Sequence, residues 1–379
     1  MIYLDYSATT PVSYDVLESY NKATRDYMGN ANSIHALGVK SKVLLNSATK
    51  QLCELFDIKA SELIYTSGAT ESNNMALKGV VDAYKNRGNH IIVSKLEHPS
   101  IYAVCNFLEL QGYEISYVNN DSDGLIDFED LKKKLRPTTI LVSICAVNSE
   151  VGIRQPLKTI RQIIKKENPN VIFHSDMTQA IGKIAVNMKD VDMASMSAHK
   201  IFGPKGIGFL YKNEKVNLTP LIHGSGKFND LRSGTPPLPL VVALSKACRI
   251  ALTDLERREA NVKALNDRIY DELSKVDGVT INSTKYSIPH ILNISLKYVR
   301  PETFIHAMEE DEIYLSTNTA CSSGELSTSV MAIYDDRERA VSTIRISLSY
   351  VTTNEEITKF LNMFKLKYEQ LKSLTKVDE

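Results

Sequence analysis

Ser197-Ala198-His199-Lys200-Ile201-Phe202-Gly203-Pro204-Lys205-Gly206-Ile207-Gly208 follows directly on the apolar run Val191-Asp192-Met193-Ala194-Ser195-Met196. The run reads as a β-strand, which places Lys200 just beyond a strand end. The glycines that follow let backbone or ligand approach closely. A lysine amine forms Schiff bases with aldehydes, and a desolvated setting keeps part of it neutral for that chemistry. Taken alone, the stretch is equally a surface lysine in a Gly/Pro turn.

Two stretches further upstream change that balance. In His174-Ser175-Asp176-Met177-Thr178-Gln179 an acid stands at the end of another short strand. A pyridoxal ring acts as an electron sink only while its nitrogen is protonated, and a carboxylate partner keeps it so. In Thr66-Ser67-Gly68-Ala69-Thr70-Glu71-Ser72 a strand passes through a glycine turn into a helix. Backbone N–H groups, hydroxyls and the helix dipole there form a phosphate cradle. Each signal also has an ordinary reading as a helix cap; together they point to one site.

Farther out, strand and helix patterns alternate. Residues 62–66, 90–94, 115–118, 140–144 and 171–174 are short β-branched runs, mostly separated by helical stretches. Such recurrence predicts a largely parallel α/β sheet, whose ligand site gathers at the C-terminal strand ends. Residues 36–56 read as an amphipathic helix with Val39, Val43, Leu44, Leu52 and Leu55 roughly on one face. Pro236, Pro237 and Pro239 mark a break, after which 240–275 reads as one long helix. Residues 279–350 return to strand signals, and 354–373 close as a helix. The expected division is a large domain over 12–250 and a smaller α+β domain formed by 1–11 with 251–379.

The 379 residues carry 45 basic and 45 acidic side chains, so bulk charge gives no argument for nucleic acid or a membrane. Gly226-Lys227 has Leu221 and Phe228 where a P-loop needs glycine and Ser/Thr, and no G-x-G-x-x-G opens a helix at the first βα turn. The five cysteines are odd in number, widely spaced and without C-x-x-C, which argues against disulfides and a resident metal and for a reducing, cytoplasmic setting. Cys53, Cys105, Cys145 and Cys248 lie in apolar or helical patterns and read as small buried hydrophobes. Cys321 instead lies among small polar residues, Ser316 to Gly324, the composition of an exposed loop where a thiol reaches a substrate. In Thr343-Ile344-Arg345-Ile346 the guanidinium points away from both isoleucines; buried, it would suit capture of a carboxylate.

The chain resembles the cysteine desulfurases of the NifS/IscS type, in the class V aminotransferase group of fold-type I pyridoxal-phosphate enzymes. The resemblance runs nearly end to end, through Tyr3–Pro11, Gly29-Asn30-Ala31-Asn32-Ser33-Ile34-His35, 66–74, Glu97-His98, Asn148-Ser149-Glu150-Val151-Gly152, 176–179, His199-Lys200, Arg232-Ser233-Gly234-Thr235, Ala320-Cys321 and 344–348. It implies a large domain with a mostly parallel seven-stranded sheet flanked by helices, a homodimer, and pyridoxal 5′-phosphate as cofactor. By resemblance Lys200 carries the cofactor and shuttles the substrate's α-proton. Asp176 meets the ring nitrogen, Gln179 the ring hydroxyl, and His98 stacks on the ring. Ala69, Thr70, Ser197 and His199 hold the phosphate, with Thr235 reaching it from the second subunit. Asn148 and Arg345, with Asn30, grip the carboxylate of L-cysteine. Cys321 takes the sulfur as a persulfide and is the one candidate for transient iron–sulfur ligation. The long span from Cys321 to Arg345 resembles the branch that hands sulfur to a scaffold or thiolation protein. The glycine-rich, acid-containing stretch usual in the family stands here as Gly224-Ser225-Gly226-Lys227-Phe228-Asn229-Asp230. Selenocysteine lyase, class V aminotransferase and a weakly active cofactor-binding scaffold are the alternatives.

Overall fold

The computed structural model describes residues 1–226, 229–317 and 326–375. Seven strands form the central sheet, in the spatial order Leu63–Thr66, Gly208–Lys212, Met193–Ser197, Ile172–Asp176, Thr139–Ser143, His90–Ser94 and Glu114–Val118. Its inner strands, from Met193–Ser197 to His90–Ser94, pair in parallel, as the alternating strand–helix pattern predicts. Gly208–Lys212 runs antiparallel to both neighbours. No sequence pattern marks that strand, because its lead-in, Gly203-Pro204-Lys205-Gly206-Ile207-Gly208, has the composition of a turn. Six of the seven strands are buried at every position, which explains why apolar residues do not alternate with exposed polar ones along them.

The helix Ala36–Phe56 forms where expected, and of the face read from the sequence Leu52 is buried and Leu44 and Leu55 pack partly buried against the core, but Val39 and Val43 do not. Gly38, Ser41, Leu45, Ala48, Leu52 and Phe56 are buried, whereas Val39 and Val43 are exposed. Small residues give this helix its packing face, since they let it approach the helix Leu238–Leu252 closely. The expected single helix over 240–275 is two, Leu238–Leu252 and Leu255–Leu273, broken at Thr253 and at Asp254, whose φ is 53°. Among the described residues, 279–350 also hold three helices, Pro301–Glu309, Thr328–Tyr334 and Arg337–Val341, besides strands.

A second sheet has three antiparallel strands, Val279–Ile281, Ile291–Leu296 and Thr343–Ser347. Its own hydrophobic cluster gathers Ile294, Phe304, Ile344, Phe360 and Phe364, together with Ile2 and Leu4 from the N-terminus. The strand Ile2–Tyr3 pairs in parallel with Ile313–Tyr314, and Asp5 bridges to Ser347. The first residues of the chain are thereby held against the second sheet, one side of a cleft whose other side is the C-terminal edge of the first.

Candidate active site

A cavity of about 250 Å³ opens in that cleft. Lys200, on the short turn after the strand Met193–Ser197, reaches into it. Its Nζ donates to the carbonyl oxygens of Ser7 at 2.5 Å and Ala8 at 2.8 Å. Asp176, 6% exposed, ends the neighbouring strand Ile172–Asp176. Its Oδ1 accepts from the Thr178 backbone N–H at 2.9 Å, and its Oδ2 from Asn73 Nδ2 at 2.8 Å. His98 caps the helix Pro99–Glu109 and lines the same space. Burial pushes its pKa below the ordinary histidine value; Asp176 opposes that shift and Lys200 reinforces it.

At one end of the cavity stand Ala69 and Thr70, the first residues of the helix Ala69–Tyr84, with Ser197 and His199 beside them. The Ala69 N–H donates to Ser197 Oγ at 2.7 Å. Gly68 precedes the helix at φ 152°, a conformation that favours glycine, and a Cβ there would stand 3.0 Å from Ser197 Oγ. His199 is held neutral: burial, then Lys200, push its pKa down to about 4. The N-terminal helix dipole and these hydroxyls suit an anion.

Gln179 lines the cavity too. Its Nε2 donates to Ser7 O at 2.9 Å, and its Oε1 accepts from Lys183 Nζ. Lys183 is fully buried; desolvation, with Lys200 and Arg345 nearby, lowers its pKa well below the usual lysine value. From the second sheet comes Arg345, 1% exposed, donating to Ser149 O at 2.9 Å and to Asp5 Oδ1 at 2.8 Å. The sequence alone left a solvated face open for it; the structure buries it.

Several polar atoms around the cavity are buried without a protein partner: Arg345 Nε, Thr178 Oγ1 and Ser7 Oγ. Buried donors of this kind normally have partners. An amine at a strand end, a buried carboxylate, an imidazole face and an anion cradle on one side suit a phosphorylated pyridine aldehyde. Pyridoxal 5′-phosphate fits this donor set.

The remaining predicted residues fall elsewhere in this chain. Asn148 lies between two cavity-lining residues, Val147 and Ser149, but its amide is engaged: Nδ2 donates to Leu96 O and Ser329 Oγ, and Oδ1 accepts from Glu150 N and Val151 N. Its side chain organises the turn that follows. Asn30 and Thr235 are exposed and do not line the cavity, and Asn30 Oδ1 accepts from Asn32 N. Cys321 lies outside the described residues, as do Lys227 and Phe228 of the altered glycine-rich stretch. Residues the sequence did not single out include Asn73, Ser100, Thr178, Lys183 and Glu97. Asn73, Glu97 and Thr178 fall inside motifs quoted for the resemblance, but nothing in the local pattern marks their side chains.

The aminotransferase class-V family model matches residues 2–360. The cysteine desulfurase IscS of Dictyoglomus turgidum is 36% identical over 99% of this chain and 96% of its own length. A solved NifS-like protein superposes with a TM-score of 0.91 at 34% identity, covering 96% of this chain and 98% of its own. A structure described as SspA in complex with cysteine gives a TM-score of 0.81 at 30% identity, over 93% and 100%. The chain belongs to the class-V aminotransferase family, in its cysteine desulfurase branch of the NifS/IscS type, whose members are pyridoxal-phosphate-dependent enzymes.

Proposed function

We propose that this protein is an L-cysteine desulfurase, converting L-cysteine to L-alanine and passing the sulfur to Cys321 for iron–sulfur cluster assembly or tRNA thiolation. The observation that carries this reading is the meeting in one cavity of Lys200, Asp176, His98 and Arg345. The relative solved with cysteine supports the choice of substrate. In the balanced reaction, the bond from cysteine Cβ to sulfur breaks and one from that sulfur to Cys321 Sγ forms. Cysteine and thiol become alanine and persulfide, with no external oxidant.

Bound pyridoxal phosphate supplies an electron sink that stabilises negative charge at the substrate α-carbon and loosens the carbon–sulfur bond. Lys200 holds the cofactor and moves the α-proton at Nζ, which requires it to leave the Ser7 and Ala8 carbonyls. Asp176 meets the ring nitrogen, Gln179 Nε2 the ring hydroxyl, and His98 covers the ring. Ala69, Thr70, Ser197 and His199 take the phosphate. Arg345, which lines the cavity, takes the substrate carboxylate, and Asn148, whose amide is engaged, holds the turn beside it. Thr235, exposed and off this cavity, acts on the cavity of the second subunit in a homodimer. Cys321 takes the sulfur and passes it on to an acceptor protein. The domains divide at 12–250 against 1–11 with 251–379, and the enzyme works in the cytoplasm.

The test is a comparison of wild type and Cys321→Ala, each supplied with cofactor, L-cysteine and a thiol reductant. Equal sulfide and alanine from wild type, and neither from the variant, is the expected result. Retained amino-group transfer without sulfide would move the assignment to an aminotransferase. Turnover of selenocysteine in preference to cysteine would make it a selenocysteine lyase.

A further inference from the structure

Asn73, with no solvent exposure, sits one turn into the helix that begins at the anion cradle. Its Nδ2 donates to Asp176 Oδ2 at 2.8 Å and to Ser100 Oγ at 2.9 Å. Ser100 Oγ lies 2.9 Å from His98 Nδ1, and the Ser100 backbone N–H donates to that same nitrogen at 3.1 Å. Asn73 Oδ1 is buried with no partner.

The directions in this chain follow from what each group can give. An amide nitrogen offers two hydrogens and accepts none. Ser100 Oγ therefore accepts from Asn73 and has its own hydrogen left for His98 Nδ1. The Ser100 backbone N–H is a donor in every state. His98 Nδ1 is thus an acceptor from two directions, and a neutral imidazole then carries its hydrogen on Nε2. Turning the amide over would set Oδ1 against the Asp176 carboxylate, an acceptor facing an acceptor. The unpartnered Oδ1 is what remains when both hydrogens are committed.

We propose that Asn73 is a positioning residue that fixes His98, through Ser100, as the neutral imidazole with its hydrogen on Nε2, while its second amide hydrogen fixes Asp176. The proposal deepens, and rests on, the reading of the cavity as a pyridoxal-phosphate site. One buried amide then sets both the group that meets the cofactor ring nitrogen and the group that covers the ring. His98 offers a hydrogen-bond donor toward the ring and cannot collect a proton at Nε2, which already holds one. A proton on Nδ1 would break two hydrogen bonds and put positive charge at the N-terminus of the helix Pro99–Glu109. Transfer of the α-proton stays with Lys200, and His98 acts as a fixed donor.

The test is nitrogen-15 NMR of the full-length protein labelled at histidine, with and without pyridoxal phosphate, the His98 signals being assigned by their loss in His98→Gln. Wild type is expected to show a pyridine-like Nδ1 and a pyrrole-like Nε2 in both states near neutral pH. Ser100→Ala, which removes the hydroxyl donor but keeps the backbone N–H on Nδ1, is expected to move both signals part of the way toward a mixture of tautomers. Asn73→Ala should shift them likewise and weaken pyridoxal-phosphate binding on the order of tenfold by absorbance titration, the loss of one hydrogen bond to a charged group. A wild-type imidazolium or Nδ1–H tautomer would overturn the proposal, as would His98 signals unmoved in both variants. Sulfide release measured on the same wild-type sample separates the two readings: the expected tautomer without sulfide overturns the desulfurase assignment alone, and sulfide with the other tautomer overturns this proposal alone.

Discussion

Lys200 and Arg345 face one cavity from two hydrophobic clusters, and their surroundings differ. Lys200 stands at the C-terminal edge of a parallel sheet, beside Asp176 and Ser197 from adjacent strand ends. Arg345 lies mid-strand in a small antiparallel sheet and is anchored by Asp5, 340 positions away in the chain. The first wall is assembled by neighbouring strand–loop units, each nearly complete in itself. The second needs the two ends of the chain brought together. Function that follows from the chemistry of strand ends should therefore fail locally when a residue is changed. Function on the other wall should fail together with the packing of the N-terminus.

That contrast is open to a graded series of tests. The largest effect is expected from Asp176→Asn. It keeps the shape but removes the charge opposite the ring nitrogen, and steady-state kinetics should show a fall in kcat on the order of 100-fold or more. Thermal stability should change far less than activity. If both walls were equivalent, kcat would survive.

Arg345→Lys comes next. Lysine cannot span Ser149 O, Asp5 and a substrate carboxylate with one planar fork. A loss in kcat/KM of roughly 10- to 100-fold for cysteine is expected, carried mostly by KM. Because Asp5 loses its partner, proteolysis near the N-terminus should quicken as well. Unchanged proteolysis would show that Arg345 does not anchor the chain end.

Glu97→Gln should have the smallest effect and acts on the sheet-edge wall alone. Glu97 is fully buried, and burial raises its pKa from 4.5 to about 8. Its Oε1 accepts from Ser94 Oγ at 2.5 Å and from Cys145 N at 2.6 Å, and its Oε2 has no partner. Between pH 4.5 and about 8 the folded state keeps a proton that the unfolded chain has released, so this group's contribution is full below 4.5 and is lost as pH rises to about 8. The amide has no such titration. Denaturant unfolding should find the variant gaining steadily on wild type as pH rises through that window, with little difference at its acid end.

The same contrast explains what the sequence made legible. Asp176, Lys200 and the turn at Gly68 stand where apolar runs stop, so their neighbours in the chain mark them. The burial of Arg345 depends on Asp5 and on pairing with Ile291–Leu296, which no local pattern encodes. Asn73 looks like any polar helix residue until Asp176 and Ser100 are placed beside it. The helix Ala36–Phe56 is legible from its period, but only part of its packing face is: Leu52 packs as expected, whereas Gly38, Ser41 and Ala48 are buried and Val39 and Val43 look outward. The break at Asp254 escaped because one residue of positive φ interrupts an otherwise continuous helical pattern.

The central claim is that Lys200, not its buried neighbour Lys183, carries the cofactor. The two are close enough that each affects the other's surroundings, yet only Lys200 lines the cavity. Borohydride reduction of the protein loaded with pyridoxal phosphate, followed by peptide mass spectrometry, tests this directly. The account predicts one pyridoxyl group per chain, on Lys200, and none in Lys200→Ala. A label on Lys183, or no label in cofactor-saturated wild type, would contradict it.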